Sequence, residues 1–208
     1  PLLDTLKDFP PDAAFRKNEH LDDRPIIALL PGSRKQEIER MLDIMLRVVP
    51  RFPAYQWVVA GAPAQDPDYY DHLLETHGAT GASSVKVVHG RTYALLSHAR
   101  AALVTSGTAT LETALLDVPQ VVLYKGIFLS YWLAKRLVKI DYISLVNLIA
   151  GRPVVEELIQ QDCHPEKVAL ALNRILEDKQ AQNMQGEYAR LREKLGGEGA
   201  SERAAQAI

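Results

Sequence analysis

The sequence predicts an α/β protein: a doubly wound parallel sheet of the Rossmann-like kind, with extra helices toward its carboxyl-terminal end. Three observations carry this. Short continuous apolar runs alternate with segments of helical period from Ile26 to Tyr124, the pattern of strands buried on both faces and joined by crossover helices. Two of the strand-to-helix turns contain glycine, Pro31-Gly32-Ser33 and Thr105-Ser106-Gly107-Thr108. Hydrophobic residues make up 47% of the 208, enough to cover such a sheet on both sides.

The elements follow in order. Residues 1–24 are polar and proline-bearing and read as a linker with one short helix around Asp12 to Lys17. Ile26 to Leu30 is the first strand. Ser33 and Gln36 fit a capping box, and the helix they open carries Ile38, Met41, Leu42, Met45 and Val49 on one face. Pro50 and Pro53 stop it. Trp57 to Ala60 is a strand, Tyr69 to His77 a helix, Val85 to Val88 a strand and Tyr93 to Ala99 a short helix. Ala101 to Val104 is the fourth strand, a helix runs from the second glycine turn to about Leu116, and Gln120 to Tyr124 is the fifth strand. Phe128 to Ile140 reads as an amphipathic helix, with Trp132 on its apolar side and Lys135, Arg136 and Lys139 on the other. Tyr142 to Leu148 is a mixed apolar run enclosing Asn147. Helices are expected at Val155 to Gln160, Glu166 to Glu177 and about Ala181 to Leu195. The division expected is a Rossmann-like domain over 25–160 and helices over 161–208 that pack back on it or on a further domain.

Composition excludes several classes of function. A net charge of −2 gives no general basic signal for nucleic acid. The single cysteine, Cys163, rules out an internal disulfide and a cysteine-rich metal site. The six histidines lack metal-ligand spacing. No apolar run approaches the roughly 20 residues that span a bilayer. The chain opens Pro-Leu-Leu-Asp without an initiator methionine and is expected to be a piece of a longer protein.

In a doubly wound sheet of order 3-2-1-4-5, ligands bind beyond the carboxyl ends of strands 1 and 4. Both glycine turns fall there. A strand-to-helix turn presents unpaired N–H groups and the positive end of a helix dipole, a setting for phosphate. Arg34 adds a forked cation that grips phosphate oxygens. Glu112, about one turn into its helix, is able to reach the hydroxyls of a sugar attached to that phosphate. Neither G-x-G-x-x-G nor G-K-[ST] is present, and no Ser-His-Asp arrangement suggests itself. The site therefore reads as one that holds a phosphate ester rather than one that cleaves it with a nucleophile.

Several segments together resemble lipid-A-disaccharide synthase. They are Leu30-Pro31-Gly32-Ser33-Arg34 with Glu37-Ile38, Thr105 to Glu112, Tyr131 to Leu137, Tyr142 to Arg152, and Pro153 to Gln160. They fall in the family's order and cover the chain from Ile26 to about Leu176. Val146 stands where many members have proline. The resemblance implies the donor-binding, carboxyl-terminal half of a two-domain, inverting GT-B glycosyltransferase. Such an enzyme moves diacylglucosamine from its UDP donor to the 6-hydroxyl of a diacylglucosamine 1-phosphate acceptor. No cofactor and no metal are expected, and the general base is expected in the other half, so this half alone should bind nucleotide with little turnover.

On that mapping Arg34 contacts the diphosphate. Gly32, Ser33, Ser106, Gly107 and Thr108 contact the phosphates through backbone or hydroxyl groups, or simply shape tight turns. Glu112 holds the ribose. His89 and Gly90 cradle the uracil with backbone groups, or form a plain turn. Asn147 sits near the donor sugar or its phosphates, or shapes a loop. The helix bearing Trp132 rests on a membrane surface, packs on the sheet, or meets a second subunit. A homodimer at the cytoplasmic face of the inner membrane is implied. Two alternatives stay open: another UDP-sugar enzyme of the same fold, such as an N-acetylglucosaminyltransferase or epimerase, and a nucleotide-binding module without chemistry.

Overall fold

The computed structural model describes residues 12–79, 85–126 and 142–196. The helix predicted over Phe128 to Ile140, with Trp132, lies outside them. Six parallel strands form one sheet in the order β3-β2-β1-β4-β5-β6. The strands are β1 (Ile26–Leu30), β2 (Gln56–Gly61), β3 (Lys86–His89), β4 (Ala99–Thr105), β5 (Gln120–Tyr124) and β6 (Glu156–Ile159). The helices are α1 (Phe15–Asn18), α2 (Lys35–Leu46), α3 (Pro67–Thr76), α4 (Thr92–Ser97), α5 (Thr108–Leu115), α6 (Leu145–Ala150), α7 (Pro165–Leu176) and α8 (Asp178–Lys194). The winding reverses between β1 and β4, as the strand-helix alternation implied.

Strand alternation splits the core into two layers. Ile27, Leu29, Trp57, Val59, Ala101 and Leu103 face Ile38, Met41 and Met45 of α2 and Val168, Leu172 and Ile175 of α7. The intervening residues Ile26, Ala28, Leu30, Val58, Ala60, Ala102 and Val104 face Phe15 of α1 and Leu95 and Leu96 of α4. Every residue of β1 and β2 is buried, which is why these strands read as unbroken apolar runs.

Sequence and structure part beyond β5. Residues Val155 to Gln160 do not form the expected helix; Glu156–Ile159 is an edge strand paired in parallel with β5. Of its four residues Leu158 is buried, and both glutamates and Ile159 are half-buried. Four residues of that composition fit a strand or a helix turn equally well by period. The mixed run near Asn147 is a short helix, α6, capped by the Ser144 hydroxyl accepting from the Asn147 N–H at 3.2 Å.

Side chains also tie the last two helices to the sheet. Tyr188 of α8 is fully buried and its hydroxyl lies 3.4 Å from the Gln120 amide nitrogen. Both terminal nitrogens of Arg192 donate to one Asp117 oxygen at 2.9 Å. Arg100 of β4 donates to the Leu176 carbonyl at 2.8 Å and to Asp178 at 2.6 Å.

Candidate functional site

Register brings the two glycine turns together. Leu30 lies opposite Val104 in adjacent strands, so the chain leaves β1 and β4 at the same edge of the sheet. A crevice of about 670 Å³ opens there. Its walls are four strand exits: Gly32 to Arg34 after β1, Gly61 to Pro63 after β2, Gly90 to Tyr93 after β3, and Thr105 to Ala109 after β4. Glu112, one turn into α5, completes it.

The first turn is built around a carboxylate. Gly32 has φ of 107°, where glycine alone is comfortable. A β-carbon there would also collide with the Glu37 carboxylate. That carboxylate accepts from the Ser33 N–H at 3.1 Å. The expected capping box of Ser33 and Gln36 does not form. The N-cap of α2 is Arg34, one residue later, so the third helical position falls on Glu37. A carboxylate there also meets the positive end of the helix. Arg34 itself is extended, exposed, and in no ion pair with any described residue.

The second turn has donors to spare, though not at Ser106. The Ser106 N–H donates to the Leu123 carbonyl at 3.0 Å and its hydroxyl to the Ile143 carbonyl at 2.9 Å. Ser106 therefore has no donor left for a phosphate and serves the turn, the other of the two roles expected of it. Gly107 is the N-cap of α5, and no side chain caps that helix. The N–H groups of Gly107 and Thr108 donate to no described residue. Space beside Gly107 is open where a β-carbon would stand. Arg34 and this uncapped helix end line one crevice, a constellation suited to a multiply charged anion.

Glu112 takes a hydrogen bond from the Tyr93 hydroxyl at 2.9 Å. Burial first, and then that bond to Glu112, push the Tyr93 phenol up to about 12. The phenol is thus a fixed donor at ordinary pH, and it holds one carboxylate oxygen of Glu112. Gly90 lines the crevice, whereas the His89 side chain does not; its ring packs edge-on to Tyr70 with centroids 5.6 Å apart. Arg91, also in the wall, is engaged by Asp12 and by Glu19 at 3.4 Å.

Asn147 is elsewhere. It is 1% exposed and its amide is fully used. Nδ2 donates to the Val155 carbonyl at 2.9 Å and to Glu157 at 2.8 Å. Oδ1 accepts from the N–H groups of Val154 at 2.7 Å and Val155 at 2.9 Å. It clamps α6 to the start of β6 and is not among the residues lining the crevice, which fits the loop-shaping role, the other of the two expected of it. Residues that sequence reasoning left without a role here are Glu37, Tyr93 and Thr105. Glu37 and Thr105 stood inside quoted motifs without a role of their own; Tyr93 carried no local signal. Among the described residues no group of three or more histidine, cysteine, aspartate or glutamate side chains is placed to hold a metal.

Comparison with known proteins adds a family. The family model described as lipid-A-disaccharide synthetase matches residues 1–208. The lipid-A-disaccharide synthase of Syntrophus aciditrophicus is 38% identical over 216 aligned residues, covering 99% of this chain and 54% of that protein. That of Anaeromyxobacter dehalogenans is 42% identical over 192, covering 89% and 49%. The chain thus spans about half the length of these curated relatives. Among solved structures, Anabaena Alr3699/HepE in complex with UDP-glucose is similar in fold, with TM-score 0.60 and 14% identity over 91% of this chain and 50% of that one.

Proposed function

The chain belongs to the lipid-A-disaccharide synthetase family, and on that premise we propose that its crevice holds the UDP part of a UDP-diacylglucosamine donor. The whole enzyme would transfer diacylglucosamine to diacylglucosamine 1-phosphate, giving lipid A disaccharide and UDP. The observation that carries this reading is a pair of donor sets in one crevice left unspent among the described residues: Arg34 without an ion pair, and the uncapped start of α5 at Gly107 and Thr108.

Each wall then has a task. In an inverting transfer the acceptor hydroxyl attacks the sugar's anomeric carbon as the bond to the β-phosphate oxygen breaks. Negative charge grows on the departing diphosphate. Arg34, the free N–H groups and the α5 dipole meet that charge in fixed positions, which is where electrostatic catalysis is strongest. Glu112, steadied by Tyr93, accepts from the ribose hydroxyls. Gly90 offers backbone groups to the uracil. The acceptor site, and the base that takes the acceptor's proton, belong to the part of the family's length outside this chain. The reading also carries a second copy of the chain and the cytoplasmic face of a membrane as partners. No helix among the described residues is long and apolar enough to cross a membrane.

The test is a calorimetric titration of UDP into the chain, with Arg34→Ala and Glu112→Ala beside it. Saturable binding that weakens in both variants, with unchanged circular dichroism, supports the reading. Binding that is indifferent to both substitutions sinks it.

A further inference from the structure

A second, smaller cavity of about 310 Å³ lies beside the crevice, between the first turns of α2 and the end of β5. Arg34, Lys35, Arg40 and Lys125 line it, against the single carboxylate of Glu37. The Glu37 carboxylate is already engaged by the Ser33 N–H. This density of cations is not a property of the whole chain, whose net charge is −2.

The cations are also unusually free. Most described arginines are ion-paired, among them Arg24 with Asp22, Arg47 with Asp43, Arg100 with Asp178 and Arg192 with Asp117. Arg34, Arg40 and Lys125 pair with no described carboxylate. Arg40 gives one N–H to the Lys125 carbonyl at 2.9 Å, which fixes its guanidinium beside the end of β5 and leaves its other donors unspent. Lys35 leans over the Tyr69 ring, 5.4 Å from the centroid, and keeps its charge at the rim. Clustered like charges repel, and four cations converging without matching carboxylates are stabilised by an anion from outside.

One more observation points to a ligand. Thr105 is 4% exposed, and its hydroxyl has no hydrogen-bond partner among the described residues. It lines both cavities. A buried hydroxyl left unpaired is destabilising, and an oxygen-rich anion in either cavity relieves that cost.

We propose that this second cavity is a separate phosphate-monoester site, occupied together with the crevice. Arg40 and Lys125 are its own cations, and Arg34 is shared. The chemistry fits a free sugar phosphate and the headgroup of a phosphate-bearing lipid alike.

The experiment titrates glucose 1-phosphate into the chain already saturated with UDP, followed by phosphorus NMR. The expected result is saturable binding that Arg40→Gln together with Lys125→Gln weakens about tenfold, as loss of charge-assisted bonds does, while UDP affinity stays within about twofold. Lys125 is exposed, so Lys125→Gln alone gives a weakened variant that keeps the fold should the double variant lose it. A second arm measures co-sedimentation with phosphatidic acid vesicles against phosphatidylcholine vesicles. Loss of phosphatidic acid binding in the variants assigns the phosphate to a lipid headgroup; binding of glucose 1-phosphate alone assigns it to a soluble ester. Displacement of the probe by UDP, equal binding by the variants, or binding of neither probe overturns the proposal. If the chain binds no UDP, the donor reading fails by itself, and the same titration of the unloaded chain still judges the second cavity.

Discussion

The crevice at Arg34 and the clamp at Asn147 make an instructive pair. Both lie in segments that resemble the same family, and both contain polar residues at the ends of short helices. Their hydrogen-bond accounts differ. In the crevice, the Arg34 guanidinium and the N–H groups of Gly107 and Thr108 have no partner among the described residues. In the clamp nothing is spare. Asn147 makes four hydrogen bonds, two through each end of its amide. Glu157 accepts from the N–H groups of Ile143 and Ser144, each at 2.9 Å, from the Ser144 hydroxyl at 2.7 Å, and from Asn147. A side chain that builds the backbone uses up its capacity; one that awaits a ligand keeps it. Ser106 stands between the regions, and its hydroxyl bond to Ile143 gives it to the clamp.

The hardest test of this contrast is Asn147→Ala. It strands buried donors and acceptors of two segments, so urea unfolding should show a loss of about 3 kcal/mol or more. A variant of normal stability that fails only to bind UDP would move Asn147 to the ligand side.

Arg34→Ala should do the opposite. Loss of a guanidinium–diphosphate contact weakens UDP binding by about 2 kcal/mol, roughly thirtyfold, and an exposed, unpaired side chain leaves stability within about 0.5 kcal/mol. Calorimetry and denaturation on the same sample read both. A large stability loss would make Arg34 a structural residue.

Glu112→Ala is expected to weaken UDP about tenfold and inorganic pyrophosphate hardly at all, since only UDP presents ribose hydroxyls to a carboxylate. Equal losses for the two ligands would place Glu112 on the phosphates instead.

Ser106→Ala sharpens the border. The bond to Ile143 is worth about 1 kcal/mol of stability, and UDP affinity should not change. A drop in affinity without a drop in stability would make Ser106 a ligand contact.

The smallest effect is in pH. Tyr93 is held neutral up to about 12, above the ordinary phenol value of about 10. A raised folded-state value contributes stability in full below pH about 10 and loses it as pH climbs toward 12. Ultraviolet difference titration of the wild type against Tyr93→Phe should show no phenolate from this residue below about pH 11. Early ionisation would mean that the bond to Glu112 does not hold.

Much of this was readable along the chain because it rests on local physics. The runs Ile26 to Leu30 and Gln120 to Tyr124 are apolar throughout, so their burial needed no knowledge of neighbours. Glycine at position 32 announced a turn, and alternation of strands and helices set the strand order as far as β5. From that order the turns at Gly32, Ser33 and Arg34 and at Gly107 and Thr108, with Glu112 behind the second, fall beside one crevice, and they line one crevice together with Gly90, which the family resemblance supplied.

What stayed hidden was partnership across distance. Glu-Glu-Leu-Ile becomes an edge strand only because β5 offers it a free backbone. Asn147 and Ser106 look like ligand contacts until Val155, Glu157 and Ile143 arrive to satisfy them. Glu37 caps the first turn because the helix starts one residue later than its sequence suggests. Apolar burial and turn geometry are written residue by residue, whereas a hydrogen bond belongs to two residues, and the second is chosen only when the chain has closed on itself.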